Sequence, residues 1–191
     1  MKRAGILTPI AFVLAIPLHG QATYPRTEIF AADAYSRADY GSIGHNLNGW
    51  GASVTANATR YLGITADFSG GYGSQTYVLA CPAEFICATQ SSGVSLYNFM
   101  GGPKFSYRTG AATIFAHGLV GIVSRRAAAP GNQTQFGMGV GGGADVPLRG
   151  RLAYRIFQVD YIPAKQSAST GGGWQKDFRV ETGIVFTFGK K

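Results

Sequence analysis

The sequence predicts an all-β protein, an eight-stranded antiparallel up-and-down transmembrane β-barrel, on three observations. Behind a hydrophobic leader come eight stretches of about ten residues in which apolar and polar side chains alternate, the period-2 signature of strands with one apolar face. Long and short connections take turns between them: long at Arg37–Asn48, Gly73–Ser92, Arg125–Gln135 and Pro163–Lys176, short at Arg60–Leu62, Arg108–Ala112 and Pro147–Arg151. Charged residues are only 14% of the chain, yet no apolar run beyond the leader reaches the roughly 18 residues of a membrane helix. A chain this apolar and without such helices must satisfy its backbone by closed strand pairing.

The 191 residues divide simply. Lys2 and Arg3 begin a leader whose apolar middle, Ile6 to Leu18, is broken by Pro9 and Pro17 and followed by Gly20-Gln21-Ala22, the small residues a signal peptidase needs. Residues 1–22 are therefore expected to be a signal peptide cleaved after Ala22, and residues 23–191 a single barrel domain. An N-terminal anchor is disfavoured because the apolar stretch is short for a span.

The strands follow in order. In the second, Trp50, Ala52, Val54, Ala56 and Ala58 alternate with Gly51, Ser53, Thr55, Asn57 and Thr59, so the first set faces lipid and the second the lumen. The third sets Ile64, Ala66, Phe68 and Tyr72 outward against Thr65, Asp67 and Ser69. The fourth sets Tyr97, Phe99, Gly101, Pro103, Phe105 and Tyr107 outward, with a phase slip expected near Leu96 and a bulge at Pro103, which lacks a ladder donor. In the fifth, Ile114, Ala116, Gly118, Val120 and Ile122 oppose His117; in the sixth, Phe136, Met138, Val140, Ala144 and Val146 oppose glycines and Asp145. The seventh puts Arg155 on the face of Ala153, Phe157, Val159 and Tyr161, where an outward arginine costs about 2 to 4 kcal/mol at mid-membrane. It must therefore lie near the short-turn end or be turned inward by a bulge. The eighth is the most regular, Phe178, Val180, Thr182, Ile184, Phe186 and Phe188 against Asp177, Arg179, Glu181 and Thr187. The first, Glu28 to Ser36, alternates too poorly to assign a face.

Aromatics collect at both strand ends: Trp50, Tyr72, Phe136, Tyr161, Trp174 and Phe178 toward the long loops, Tyr61, Tyr107, Phe115, Phe186 and Phe188 toward the short turns. Two such girdles mark the two faces of a bilayer. The stretches Asn48-Gly49-Trp50-Gly51-Ala52-Ser53-Val54, Tyr61 to Gly70, Asn98 to Ser106 and Gln158-Val159-Asp160-Tyr161 resemble the small outer-membrane β-barrels of Gram-negative bacteria, and the chain is similar to the OmpA/OmpX type over essentially its whole mature length. The resemblance implies periplasmic termini, exterior long loops and an outer-membrane location. It also implies assembly by periplasmic chaperones and the barrel-assembly machinery, which would read Phe186 and Phe188; here Gly189, Lys190 and Lys191 follow them.

Asp67, Lys104, His117, Asp145, Asp160, Arg179 and Glu181 all fall on the lumen face. Charges withdrawn from water persist only when paired and hydrogen-bonded, so these residues are read as a structural network, with an ion or proton path as the alternative. Arg179 and Glu181, two residues apart, are the pair expected to depend most on each other. Eight strands leave an interior that side chains can fill, which excludes a wide channel. Cys81 and Cys87, close together in the longest loop of an exported chain, are expected to form a disulfide; neighbouring metal ligands are lacking.

The run Gly137-Met138-Gly139-Val140-Gly141-Gly142 matches a dinucleotide fingerprint only in letters, since it sits inside a strand with no helix after it; its glycines are expected to make room for lumen side chains. No cofactor motif remains. The net charge of +8, with Arg60, Arg108, Arg125, Arg126, Lys190 and Lys191 placed at loops, turns and terminus, suits lipid headgroups and lipopolysaccharide. Nothing in it forms the basic, aromatic-interleaved stripe of a nucleic-acid binder. The sequence therefore favours a structural or surface-interaction barrel whose loop partner is unknown, ahead of a narrow pore and of a lipid-modifying enzyme. That enzyme would need His45 beside a nucleophile at the outer leaflet; His45 itself reads as a solvated loop residue.

Overall fold

The computed structural model describes residues 24–40, 43–78, 89–127, 131–165 and 173–190. Within them are eight strands and no helix: β1 (Pro25–Tyr40), β2 (Ile43–Asn57), β3 (Leu62–Val78), β4 (Thr89–Arg108), β5 (Thr113–Ala127), β6 (Gln133–Pro147), β7 (Leu152–Lys165) and β8 (Trp174–Lys190). Each pairs antiparallel with its sequence neighbours, and β1 pairs with β8, so the sheet closes and has no edge. The leader and Cys81 and Cys87 lie outside the described residues.

Period-2 alternation governs the packing. Ile64 (69% exposed), Val140 (62%), Ile114 and Val120 cover the outer wall, while Thr55, Thr65, Asp67, Arg155 and Glu181 are buried inside. The three short turns and both described termini share one end. At the other end the strands run on past the aromatic girdle, to lengths of 14 to 20 residues. The described parts of the long joins expected from the sequence are thus largely strand. Ser36↔Leu47 through Tyr40↔Ile43 are ladder pairs of β1 and β2, and Val78↔Thr89 still pairs β3 with β4. Strand pairing continues there because backbone groups still need partners. With no apolar belt required on the outer face, the alternation fades and the sequence signal with it.

Other expectations are corrected by the ladders. β4 alternates without a slip: Val94, Leu96, Asn98 and Met100 all point inward in one unbroken register with β3. Leu96 looked out of phase only because the upper lumen is apolar, a cluster of Ala38, Leu47, Val94, Leu96, Met100, Leu119, Val123, Ile162 and Ala164. Pro103 makes no bulge; β4 pairs β5 in the same register at Gly101↔Val120 and Lys104↔His117, and the ladder is merely interrupted between them. Phe115 belongs to no girdle, being 3% exposed inside the barrel. The first strand, unassigned from sequence, turns Glu28, Phe30, Ala34, Ser36 and Ala38 inward.

The bulge falls in β7. Registers with both β6 and β8 shift between Arg155 and Gln158, so Ile156 and Phe157 both face outward while Arg155 and Gln158 both face inward. The two-residue outward step is what brings an arginine off the lipid face.

Candidate functional site

The interior below the apolar cluster is polar, its side chains bonded partly to residues directly opposite on neighbouring strands and partly across the lumen. Arg155 faces Asp145, and its Nε and Nη2 donate to the two carboxylate oxygens at 2.7 and 3.1 Å. Such a forked contact is the strong form of the pair. The guanidinium is also sandwiched between rings, 3.9 Å from the Phe30 centroid and 4.2 Å from that of Phe115. Its Nη1 donates to Gln158 Oε1 at 2.6 Å, and Gln158 Nε2 donates to Asp160 Oδ2 and Glu181 Oε2, both at 2.8 Å.

Arg179, 1% exposed, is the centre of the upper half. It faces Asp160 across the β7–β8 ladder and donates to Asp160 Oδ2 from Nε at 3.0 Å and Nη2 at 2.7 Å. Nη1 donates to Ser69 Oγ at 2.7 Å and lies 2.8 Å from Asp67 Oδ1, an ion-pair contact in which that oxygen receives no well-directed hydrogen bond. Glu181 stands farther off, its Oε1 3.5 Å from Arg179 Nε and without a hydrogen-bond donor. The partnership expected between Arg179 and Glu181 is therefore secondary to Asp160 and Asp67. His117 Nε2 meets Asp160 Oδ1 at 2.7 Å.

A second cluster lies toward the short turns. Glu28 holds Lys104 Nζ at 2.7 Å and Arg108 Nη2 at 2.6 Å, and accepts from Asn57 Nδ2 at 2.9 Å. Lys104 sits over the Phe115 ring at 4.4 Å, so Phe115 lies between this cluster and Arg155. Two glycines create the space: a methyl group at Gly51 would overlap the Glu181 carboxyl, and one at Gly141 the Asp160 carboxyl.

All seven charged residues expected in the lumen are buried there, in these two clusters. Sequence reasoning missed Glu28, Arg108, Arg155 and Gln158 as members. It also placed Arg108, Arg125 and His45 at solvent: Arg108 turns in to Glu28, while Arg125 and His45 are 6% and 7% exposed on inward faces of β5 and β2. Burial together with the nearby charge of Arg125 pushes the His45 imidazole below its ordinary value. Phe186 and Phe188 face outward on β8, opposite Ile29 and Thr27 at the closing seam. Among the described residues no group of three or more His, Cys, Asp or Glu is placed to hold a metal.

No protein-family model matches the sequence, and no curated protein matches it. Solved structures do match. Neisserial surface protein A superposes with a TM-score of 0.66 at 12% identity, covering 87% of this chain and 99% of that one. Ail, the attachment invasion locus protein of Yersinia pestis, solved in complex with the heparin analogue sucrose octasulfate, gives 0.57 at 12% identity, covering 85% and 97%. The same protein in a second crystal structure gives 0.56 at 14% identity over 86% and 99%. The chain thus has the fold of the small eight-stranded outer-membrane β-barrels, the architecture that its resemblance to the OmpA/OmpX type implied.

Proposed function

We propose that the chain is a signal-peptide-exported outer-membrane protein with a structural or surface-interaction role, and that its lumen is closed by its own side chains. What supports this reading is the burial and mutual bonding of the inward side chains. An apolar layer around Leu47, Leu96, Leu119 and Ile162 lies toward the long loops, and a bonded layer around Arg179 and Arg155 lies below it. An ion crossing it would have to displace arginines bonded to two or more partners, at several kcal/mol for each charge left unpaired. The described long-loop end carries the exposed cations Arg37, Arg126, Lys165 and Lys176, suited to the phosphates of lipopolysaccharide. Chaperones and the barrel-assembly machinery, reading Phe186 and Phe188, are the partners proposed for biogenesis.

The lipid-modifying alternative loses its one candidate base, because His45 lies inside the barrel wall and not on the outer leaflet side. The pore alternative is tested directly. Purified barrel in a planar bilayer is expected to show little steady conductance, with unbonding variants such as Arg179→Ala raising it. Large, stable, ion-selective channels in the unmodified protein would overturn the closed-lumen reading.

A further inference from the structure

A groove of about 350 Å3 is cut into the outer wall at the short-turn end. Its size falls within the roughly 300 to 1,000 Å3 of small-molecule sites. Phe105 and Tyr107 rise from β4, with Tyr61 of the β2–β3 turn on one side and Ile114 and Ala116 of β5 on the other. The floor is the ladder pair Ser106↔Phe115, whose side chains turn into the lumen. Arg60 covers the Tyr61 ring, its guanidinium 4.9 Å from the centroid, which sets a cation at the rim of the groove. The turn carrying both is held by its own bonds. Thr59 Oγ1 accepts from the backbone N–H of Tyr61 at 3.2 Å and of Leu62 at 2.9 Å, and the Arg60 carbonyl oxygen accepts from Arg108 Nη1.

Charge at this end is one-sided. Its acids, Glu28 and Asp145, are buried and bonded to Lys104, Arg108 and Arg155, whereas Arg26, Arg149 and Arg151 are exposed and Arg60 is half-buried. An occupant must therefore be apolar along the wall and anionic at the turns. We propose that the groove and Arg60 form a binding site for one anionic phospholipid of the inner leaflet, an acyl chain lying between Tyr61, Tyr107 and Ile114 and the headgroup phosphate on the Arg60 guanidinium. The two tyrosines, amphipathic rings of the girdle, put that phosphate at headgroup level. A guanidinium offers phosphate a matching fork of donors. A zwitterionic head would bring its ammonium among the neighbouring arginines, so a net negative head is preferred. The short turns lie on the periplasmic side of the proposed topology, where the leaflet is phospholipid and not lipopolysaccharide.

This inference rests on the membrane-spanning reading, and the experiment separates the two. Full-length mature chain and variants are refolded into phosphatidylcholine vesicles, and insertion is scored by heat-shifted gel mobility. Lipids carried by the folded chain in detergent micelles are then counted by native mass spectrometry with phosphatidylglycerol, phosphatidylcholine or lipid A added. One phosphatidylglycerol is expected to bind, about fivefold tighter than phosphatidylcholine, the scale of one basic residue at an anionic lipid surface. Arg60→Gln, which keeps the carbonyl that Arg108 uses, should abolish the preference, and Arg60→Lys should keep most of it. Ala116→Phe, filling the groove, should weaken both phospholipids, whereas Arg149→Gln, outside it, should change neither. An inserted wild type without the preference overturns the site, as does an Arg149→Gln loss equal to that of Arg60→Gln. Lipid A bound more tightly than phosphatidylglycerol through Arg60 overturns the phospholipid assignment, and failure of the wild type to insert overturns the membrane reading as well.

Discussion

Arg179 on β8 reaches Asp67 on β3 at 2.8 Å, across the two strands β1 and β2 that separate them in the barrel. The contact crosses the lumen because the inward residues between are small, Ala34 and Ser36 on β1 and Gly51 and Ser53 on β2. One guanidinium therefore ties non-adjacent strands together, while Asp160 and Glu181 share it.

Removing that guanidinium leaves three carboxylates without their cation. Arg179→Gln is expected to lower stability by about 3 to 5 kcal/mol, the cost of breaking a buried pair from one side. Glu181→Gln is expected to be nearly neutral or stabilising, since Glu181 Oε1 lacks a donor and its departure removes an excess negative charge. Urea unfolding from lipid vesicles measures both. A loss for Glu181→Gln as large as for Arg179→Gln would contradict the assignment of Asp160 and Asp67 as the principal partners.

Gly51 and Glu181 should behave as a coupled pair. A methyl at position 51 occupies the place of the carboxyl, so Gly51→Ala is expected to cost about 1 to 3 kcal/mol through overpacking. Glu181→Ala empties that place, and the double variant should recover most of the Gly51→Ala loss. Strictly additive effects in the double-mutant cycle would show that the two do not share the space.

Much of this arrangement was legible in the sequence, and the exceptions have physical causes. Asp67, Asp160 and Arg179 stood out because each interrupts a strand whose outer face is cleanly apolar. Glu28 did not, because the neighbouring Ala31, Ala32 and Ala34 fit either face and leave β1 without a phase. Leu96 and Phe115 misled for the opposite reason: apolar side chains were assigned to lipid, yet the lumen has an apolar layer and uses Phe115 as a surface for Lys104 and Arg155. His45 and Arg125 were read as solvated because the strands continue beyond the belt, where alternation no longer reports burial.

Acid should loosen the long-loop end through His45, which lies five positions beyond Trp50 on β2 and so outside the belt. Its folded value is depressed below the ordinary 6.5, so the unfolded chain binds the proton more tightly. The stability contributed by the neutral imidazole is complete above pH 6.5 and is lost as pH falls below it toward the folded value. Hydrogen exchange of β1 and β2 amides near Ala38 and Leu47 is expected to accelerate over that range, and His45→Gln to flatten the dependence. An unchanged pH profile in His45→Gln would remove His45 as the cause.

The bulge in β7 makes a sharper test of how faces are set. Asp145↔Arg155 and Ala144↔Phe157 are successive pairs on β6, and Arg155↔Gly183 precedes Gln158↔Glu181 on β8, so one residue of the Ile156-Phe157 step is extra to both ladders. Deleting Ile156 should therefore heal the bulge and leave every other side chain on its present face, with Arg155 still opposite Asp145 and Gln158 opposite Glu181. Thr182 loses only its position beside the bulge. The deletion is expected to fold and insert with a stability change of about 1 kcal/mol or less, the scale of a surface change that breaks no buried contact. Deleting Val159 instead removes a regular position, and a one-residue slip turns a whole strand segment over. Either Arg155 and Gln158 or Asp160 and Ile162 would then be driven to the outer wall, stranding charges on both sides, and that variant should fail to insert. The two deletions, three residues apart and alike in composition lost, are compared by heat-shifted gel mobility in vesicles. Equal failure of both would mean that the step at Ile156 and Phe157 is required for the fold and is not a spare residue carried to turn Arg155 inward.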